Sequence, residues 1–184
     1  MSFDNVLSSL QTGKADMAIS GLSPTEARKK VYDFSDPYYE DENAILVKAI
    51  DVDKYTSIDS LSGAKVAVQK GTVEEDLAKK QLENANIISL TSMGEAINEL
   101  KSGQVQAVDL EKPVAEGYLD QNPDLALASF ALKTGDGDAK AVAMPKDSGE
   151  LVDTVNKVIK KLKDDGKYPQ FISDAAKLTG SSSV

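Results

Sequence analysis

Two turns in the sequence place hydroxyl groups and a glycine directly before a predicted helix, a combination that suits an anion. The first is Ser-Gly-Leu-Ser at residues 20–23, before a helix predicted at 24–29. Backbone N–H groups, two hydroxyls and the positive end of the helix dipole favour a carboxylate there. Arg28, one turn into that helix, can add two parallel N–H···O bonds. The alternative is that Ser23 only caps the helix and Arg28 is a solvated charge.

The second turn, Gln-Lys-Gly-Thr-Val at residues 69–73, lies where a predicted strand ends and a helix begins. Gly71 allows the backbone to approach a ligand closely, because glycine has no side chain in the way. Taken alone, a Gly-Thr turn of this kind is also consistent with plain packing. The turn is therefore a second candidate anion site, with packing as the alternative.

Two acidic residues at the end of another predicted strand form a third candidate. Glu111 ends the strand just before Pro113, and Asp109 points to the same face because side chains alternate along a strand. Asp109 either assists Glu111 or is only solvated at the edge of the strand. Without further context Glu111 would be a surface acid, since acidic side chains are mostly exposed.

The composition excludes several classes of chemistry. The 184 residues contain no histidine and no cysteine, which rules out imidazole or thiolate catalysis, disulfides and the commonest zinc sites. The acidic turn at residues 135–138 lacks the other ligands of a calcium loop, so we expect neither a metal nor a cofactor. A net charge of −9 argues against nucleic acid and anionic membranes as partners, since both require a basic face.

The elements that must position these residues alternate between short apolar runs and amphipathic stretches, which is typical of α/β units with parallel strands. Strands are predicted at residues 16–20, 44–48, 65–69, 86–90, 107–111, 125–128 and 139–144. Helices are predicted at residues 4–12, 24–29, 73–83, 93–102, 113–121, 148–165 and 168–178. Ser/Thr-x-x-Glu capping boxes mark three helix starts, at 23–26, 72–75 and 92–95. Pro24 is expected at the first helical position, and residues 180–184 are expected to fray.

Two extended apolar runs, at residues 43–49 and 140–146, bracket a βα set at 65–128 that carries its own core. Two such strands passing side by side between two lobes would form a hinge. The sequence therefore predicts one lobe from residues 1–48 plus 139–184 and a second lobe from residues 49–138.

Residues 13–39 resemble the hallmark of the polar amino acid substrate-binding proteins of ABC importers, family 3 of the bacterial solute-binding proteins. The stretch begins Gly-Lys-Ala-Asp-Met-Ala-Ile-Ser and ends Asp-Pro-Tyr-Tyr. The likeness continues at residues 61–72, 96–103, 107–113 and 166–168, so it covers nearly the whole chain. It implies an α/β, two-lobed periplasmic-binding-protein-like (type II) fold with two crossover hinge strands, which closes on its ligand like a clamp.

The resemblance assigns the ligand's α-carboxylate to the first turn and its helix. In the family this carboxylate is held by the positions that match Ser20, Gly21, Ser23 and Arg28. Tyr38 and Tyr39, which lead into the first crossover strand, are expected to pack under the floor of the cleft rather than to stack on the ligand.

The second turn and the strand end also receive roles from the resemblance. Thr72 and the backbone at Val73 would contact the carboxylate beside Gly71, Gln69 would tune side-chain specificity, and Glu111 would bind the ligand's ammonium group. Val73 departs from the family, which often has Gly, Ser or Thr at this position. Valine has no hydroxyl group, so only the backbone N–H of Val73 can donate to the carboxylate.

The function implied is that of an extracytoplasmic, non-enzymatic protein that delivers a polar amino acid to an ABC permease in the membrane. No apolar stretch is long enough to span a bilayer and no signal peptide opens the chain, so we expect an exported parent to have lost its targeting segment. That parent would be periplasmic or lipoprotein-anchored. A ligand-sensing clamp domain of a receptor or regulator and a cyclohexadienyl-dehydratase-like enzyme stay open as alternatives, and acidic, basic and amide ligands all remain possible.

Members of this family begin with a strand, a helix and a second strand before the residues that match 1–4 here. We therefore expect an incomplete first lobe, with the strand at 16–20 exposing a sheet edge that favours self-association. The second lobe, at about residues 51–137, is expected to fold independently. Amino acid binding by these 184 residues alone is expected to be weak or undetectable.

Overall fold

The computed structural model describes residues 3–40, 42–134 and 139–179, which group into two units. The first unit contains residues 3–40 and 139–174, and the second contains 42–134 together with 175–179. The predicted turn at 135–138 and the predicted frayed tail at 180–184 lie outside the described residues.

The described strands and helices follow each other in the order of a mixed α/β chain. The strands are β1 (Tyr32–Phe34), β2 (Tyr39–Glu40), β3 (Asn43–Lys48), β4 (Lys65–Gln69), β5 (Asn86–Leu90), β6 (Ala107–Glu111), β7 (Leu125–Leu127), β8 (Ala139–Lys140) and β9 (Ala143–Pro145). The α-helices are α1 (Val6–Gln11), α2 (Glu26–Lys29), α3 (Val73–Gln81), α4 (Met93–Ser102), α5 (Lys112–Leu119), α6 (Gly149–Asp164) and α7 (Tyr168–Thr179). Short 3-10 helices occur at Phe3–Asn5, Ala49–Asp51 and Ile58–Leu61.

The centre of the second unit is a five-stranded sheet with the order β5-β4-β6-β3-β7. β4 pairs in parallel with β5 and β6, whereas β3 pairs antiparallel with β6 and β7. The prediction of parallel strands is therefore right for β4, β5 and β6 and wrong for β3 and β7. The reason is that an apolar run indicates burial on both faces of a sheet and carries no information about chain direction.

Helices cover both faces of this sheet. On one face, Leu46 and Val108 are buried in a cluster that includes residues of α4 and α5. On the other face, Ile45 and Val68 are buried with residues of α3. Burial on both sides explains why β3 is apolar over almost its whole length. The carboxyl ends of β4 and β6, where candidate site residues lie, are thus supported by packing on two faces.

Short antiparallel pairs hold the first unit together, β1 with β9 and β2 with β8. The predicted strand at 16–20 is wrong, because only Ala18 pairs, through two hydrogen bonds with Ala143. β9 meets this segment at that one residue, so no ladder forms, and Ile19 beside it is exposed. The predicted strand at 139–144 is present as two short strands, β8 and β9.

Helix α2 begins later than the sequence predicts. Its N-cap is Thr25, whose Oγ1 accepts a hydrogen bond from the Arg28 N–H at 3.3 Å, and its first residue is Glu26. Pro24 is therefore not at the first helical position, and the capping box predicted for Ser23 is wrong. Thr25 has extended backbone angles (φ −63°, ψ 154°), so the helix cannot include it, and its own hydroxyl is already in place to cap.

Candidate functional site

In the first unit, two cationic side chains contact Ser23. Arg28 Nη1 donates to the Ser23 carbonyl oxygen at 2.9 Å, and Lys140 Nζ donates to Ser23 Oγ at 3.3 Å. Ser23 is 1% exposed and Lys140 is 3% exposed, whereas Arg28 is half-buried. Because Thr25 caps α2, the interpretation of Ser23 as a helix cap is excluded. The structure thus brings the predicted pair Ser23 and Arg28 together and adds a lysine to them.

Gly21 forms the sharp part of the same turn. Its φ is +61°, a left-handed conformation that favours glycine, and its N–H donates to the Tyr38 hydroxyl oxygen at 3.2 Å. The Tyr38 ring packs against buried Val142 and Met144, in agreement with the expected core packing. Tyr38 therefore also supports the turn through its hydroxyl group. Ser20, one residue before Gly21, is exposed.

The helix dipole contributes less to this turn than the sequence predicts. α2 has only four residues and begins at Glu26, so few peptide dipoles add up and the turn at 20–23 is set back from the helix start. Anion binding at this turn would therefore depend on the guanidinium, the ammonium and the hydroxyl groups.

In the second unit, the turn before α3 is closed by reciprocal caps. Thr72 Oγ1 accepts from the Glu75 N–H at 3.2 Å and donates to the Gln69 carbonyl oxygen at 2.8 Å. Glu75 Oε2 in turn accepts from the Gly71 N–H at 2.6 Å. The predicted capping box is confirmed for the Thr72 side chain. The Glu75 carboxylate, however, accepts from the Gly71 N–H and not from that of Thr72, because Gly71, with φ +83°, presents its own N–H to the carboxylate.

Glu75 is a buried carboxylate. The sequence pattern predicts its part in the helix cap but not its other hydrogen bonds. Its Oε1 accepts from Lys79 Nζ at 2.7 Å and from Ser89 Oγ at 2.5 Å. Burial acts to raise the pKa of Glu75, but the hydrogen bonds from Lys79, Ser89 and Gly71 together outweigh burial and lower this pKa. The charged form of Glu75 therefore stabilises the turn and engages the Gly71 N–H within the protein.

Val73 is the first residue of α3 and is half-buried. The first N–H groups of a helix have no intrahelical acceptor and lie at its positive end. α3 has nine residues, so its dipole is better developed than that of α2. Because β4 and β6 are parallel neighbours, Gln69 and Glu111 lie at the same edge of the sheet, near this helix start.

Glu111 and Asp109 have different environments on β6. Glu111 is half-buried and takes the N-cap position of α5. Asp109 is 0% exposed; its Oδ1 accepts from Asn43 Nδ2 at 2.5 Å, and its Oδ2 has no hydrogen-bond partner among the described residues. The interpretation of Asp109 as a solvated edge residue is wrong, because β6 lies inside the sheet between β3 and β4.

The environment of Asp109 favours its neutral form. Burial raises the pKa of Asp109 well above its usual value of 3.8; the hydrogen bond from Asn43 opposes this shift and the charge of Glu74 adds to it. Asn43 Oδ1 accepts from the Leu132 N–H at 2.9 Å, so the Asn43 amide N–H must face Asp109. Burial therefore dominates the pKa of Asp109, and the Asn43 amide offsets only part of the upward shift.

The sequence pattern did not predict the roles of Lys140 and Asn43. Both stand at the edge of apolar runs that predict buried strands, at 140–146 and 43–49. A polar side chain in such a run must find a partner inside the protein, and this was the signal available in the sequence. The identity of that partner depends on tertiary contacts.

The described parts of the chain contain no group of three or more Asp, Glu, His or Cys side chains placed to hold a metal ion. Among the same residues, no helix is both long enough and apolar enough to cross a membrane.

Comparison with known proteins assigns these features to a family. The sequence model of the bacterial extracellular solute-binding proteins, family 3, matches residues 1–174. The chain belongs to this family. The resemblance found in the sequence and the predicted fold class are thereby confirmed.

Individual relatives of this family 3 chain are named as amino acid-binding proteins. A crystal structure of an amino acid ABC transporter substrate-binding protein from Streptococcus pneumoniae, bound to L-arginine, is 53% identical with a TM-score of 0.93, covering 96% of this chain and 73% of that one. The probable histidine-binding protein of Campylobacter jejuni is 33% identical over 171 residues, 92% of this chain and 65% of that protein. The arginine-binding extracellular protein ArtP of Bacillus subtilis is 33% identical over 178 residues, 93% of this chain and 67% of that protein. The chain thus spans about two thirds of the length of the last two relatives.

Proposed function

We propose that this chain is the ligand-binding part of an ABC importer, that it binds a polar amino acid and that L-arginine is the first candidate. The observation that carries the proposal is the position of Arg28, whose guanidinium is held against the turn at 20–23 by the Ser23 carbonyl oxygen. Support comes from the family and from relatives in Streptococcus pneumoniae and Bacillus subtilis whose names specify arginine.

In this proposal the first turn and its arginine bind the α-carboxylate of the ligand. A guanidinium has five N–H donors, so the bond of Nη1 to Ser23 is compatible with a two-bond fork on a carboxylate. The contacts to the carboxylate come from Ser20, Ser23 and Arg28, while Gly21, whose N–H donates to the Tyr38 hydroxyl oxygen, gives the turn its shape.

The second unit supplies further donors and an acid. The Gly71 N–H and the Thr72 hydroxyl are engaged within the protein, so the N–H of Val73 is the donor of this turn on which the proposal depends most. Glu111 pairs with the ligand's ammonium group, and Gln69, at the same sheet edge, contributes to side-chain specificity.

We further propose that the chain is not an enzyme and that an ABC permease is its partner. The relatives named above are binding proteins, and the chain has no histidine or cysteine to act as a general base or nucleophile. The family description as extracellular supports a location outside the cytoplasm, either in a periplasm or anchored at the outer face of the membrane.

Calorimetric titration of L-arginine into the complete product of the gene that encodes these residues tests the proposal. We expect saturable binding, and we expect agmatine, which is arginine without its carboxylate, to bind at least about thirtyfold more weakly. L-histidine and L-glutamine are titrated in parallel. Absence of binding by every amino acid tested would reject the proposed function, and equal binding of agmatine would reject the carboxylate site.

A second titration examines the role of Glu111. A ligand that lacks the α-amino group, 5-guanidinopentanoic acid, is expected to bind at least about thirtyfold more weakly than L-arginine, because it cannot form the proposed ion pair with the Glu111 carboxylate. In Glu111→Gln the preference for L-arginine over 5-guanidinopentanoic acid should become smaller. In Glu116→Gln, which changes an exposed acid on α5, the same preference should persist. Equal binding of the two ligands by the wild type would exclude the assigned role.

A further inference from the structure

Lys140 is a buried lysine beside the turn at 20–23. It ends β8, and its carbonyl oxygen accepts from the Tyr38 N–H at 2.9 Å. The next residue, Ala141, donates its N–H to the Leu22 carbonyl oxygen at 2.9 Å. The first bond holds Lys140 beside Tyr38, and the second holds the next residue against the turn. Lysines rarely lie in the interior, and this residue is 3% exposed.

The contact between Lys140 and Ser23 has only one possible direction. An ammonium group has three donors and no acceptor, so Ser23 Oγ must accept the hydrogen bond of 3.3 Å. The hydrogen of the Ser23 hydroxyl must then point to another acceptor. Because Ser23 does not cap α2, this hydroxyl is not committed to the helix start. Lys140 therefore orients Ser23 as a donor and polarises its O–H bond.

The chemistry around Ser23 favours an anion as the acceptor. Arg28 donates to the carbonyl oxygen of Ser23 while Lys140 donates to its hydroxyl, so two positive charges converge on one uncharged residue. Hydrogen bonds from a polarised donor are strongest to a charged acceptor, so a carboxylate suits this hydroxyl best.

We propose that Lys140 is a positioning residue for the α-carboxylate of the ligand, which it acts on through the hydroxyl of Ser23. The inference rests on the proposed function of this site. It adds a residue that lies 117 positions beyond Ser23 to the part of the carboxylate site that residues 20–28 form.

The test compares two ligands that differ only at the carboxyl group, which is a charged carboxylate in one and an uncharged carboxamide in the other. In the complete gene product, Lys140→Met should lower the affinity for L-arginine by about tenfold to a hundredfold. The affinity for L-argininamide, which has an uncharged carboxamide, should change by less than about threefold. A lysine with a purely structural role would lower both affinities by the same factor, and that result would overturn the inference.

Matched variants separate charge from position. Lys160→Met removes an exposed lysine that pairs with Asp164 on α6, and it should leave both affinities unchanged. Lys140→Arg keeps the charge and should retain much of the preference for L-arginine. In a Ser23→Ala background, Lys140→Met should have little further effect, because the two residues act as one unit. Full additivity of the two changes would contradict the route through Ser23.

A measurement on the wild type covers the case in which Lys140→Met does not fold. The side-chain nitrogen resonance of Lys140 should shift when L-arginine is added and stay unchanged with L-argininamide. The same shift with both ligands, or with neither, would overturn the inference. If the wild-type protein binds no amino acid, the proposed function itself is rejected. If the wild type binds L-arginine tightly and Lys140→Met lowers the affinities for L-arginine and L-argininamide by the same factor, only the role of Lys140 is rejected.

Discussion

Replacing Arg28 with alanine is expected to lower the affinity for L-arginine by about thirtyfold to several-thousandfold. Removing one partner of a desolvated, hydrogen-bonded charge pair costs about 2–5 kcal/mol, much of it because the other charge is left unpaired. Arg28 is half-buried and donates to the Ser23 carbonyl oxygen at 2.9 Å, so alanine also removes a contact that shapes the turn. Calorimetry on the complete gene product measures the change.

The neighbouring residue provides a control for the loss of one positive charge. Lys29 lies on the same short helix, is exposed and pairs with Glu26 at 3.0 Å. Such surface pairs contribute about 0–1 kcal/mol, so Lys29→Ala should keep the affinity within about threefold of the wild type. Arg28→Lys retains the charge without the fork and should give an intermediate affinity. An Arg28→Ala protein that also stays within about threefold would show that Arg28 is not the carboxylate anchor.

Much of the second unit could be predicted from the sequence because its signals are local. Helix α4 has the predicted bounds, since the Ser92 side chain accepts from the Glu95 N–H at its start and Gly103, with φ +82°, ends it. The strands β4, β5 and β6 also have their predicted bounds, because each is a short β-branched or apolar run bordered by turn residues.

The first unit was harder to predict because its elements are short and depend on distant partners. β1 and β2 have three and two residues, too few for a periodic pattern, and they exist through pairing with β9 and β8 at the other end of the chain. The predicted strand at 16–20 fails for the opposite reason. Its residues are of types that are common in strands, but only Ala18 pairs with the backbone of another strand.

The candidate sites show the same division between local and distant information. The turn chemistry at Thr72 could be predicted, because the partners lie within six residues of one another in the sequence. The contact of Lys140 with Ser23 spans 117 positions, and that of Asn43 with Asp109 spans 66. No sequence period encodes such pairs, so the partners of Lys140 and Asp109 could not be predicted.

Replacing Asp109 with asparagine is expected to raise the free energy of unfolding at neutral pH. In the wild type, burial raises the pKa of Asp109 well above its usual value of 3.8, so the folded protein binds this proton more tightly than the unfolded chain does. From about pH 4 up to the raised pKa, stability should therefore fall as pH rises, by up to about 1.4 kcal/mol per pH unit. Below that range the contribution of the protonated Asp109 is fully present.

Asparagine removes this loss because an amide does not titrate. Its carbonyl oxygen can still accept from Asn43 Nδ2, whose orientation is set by the Leu132 N–H. Urea denaturation of wild type and Asp109→Asn at pH values from about 4 to about 8 measures the difference. The stability gain of the variant should be small at the acid end of this series and should increase with pH.

Glu75→Gln is the matched control, because it makes the same chemical change at a carboxylate with the opposite pKa shift. The hydrogen bonds to Glu75 lower its pKa below the usual value of 4.5, so its contribution to stability is present above that pH and is lost as pH falls through the lowered pKa. Glu75→Gln should thus lose stability at neutral pH and approach the wild type in acid. The two variants should diverge as pH rises, one above and one below the wild type. Parallel stability curves for wild type and Asp109→Asn would mean that Asp109 ionises as readily in the folded protein as in the unfolded chain, and that burial does not control its charge.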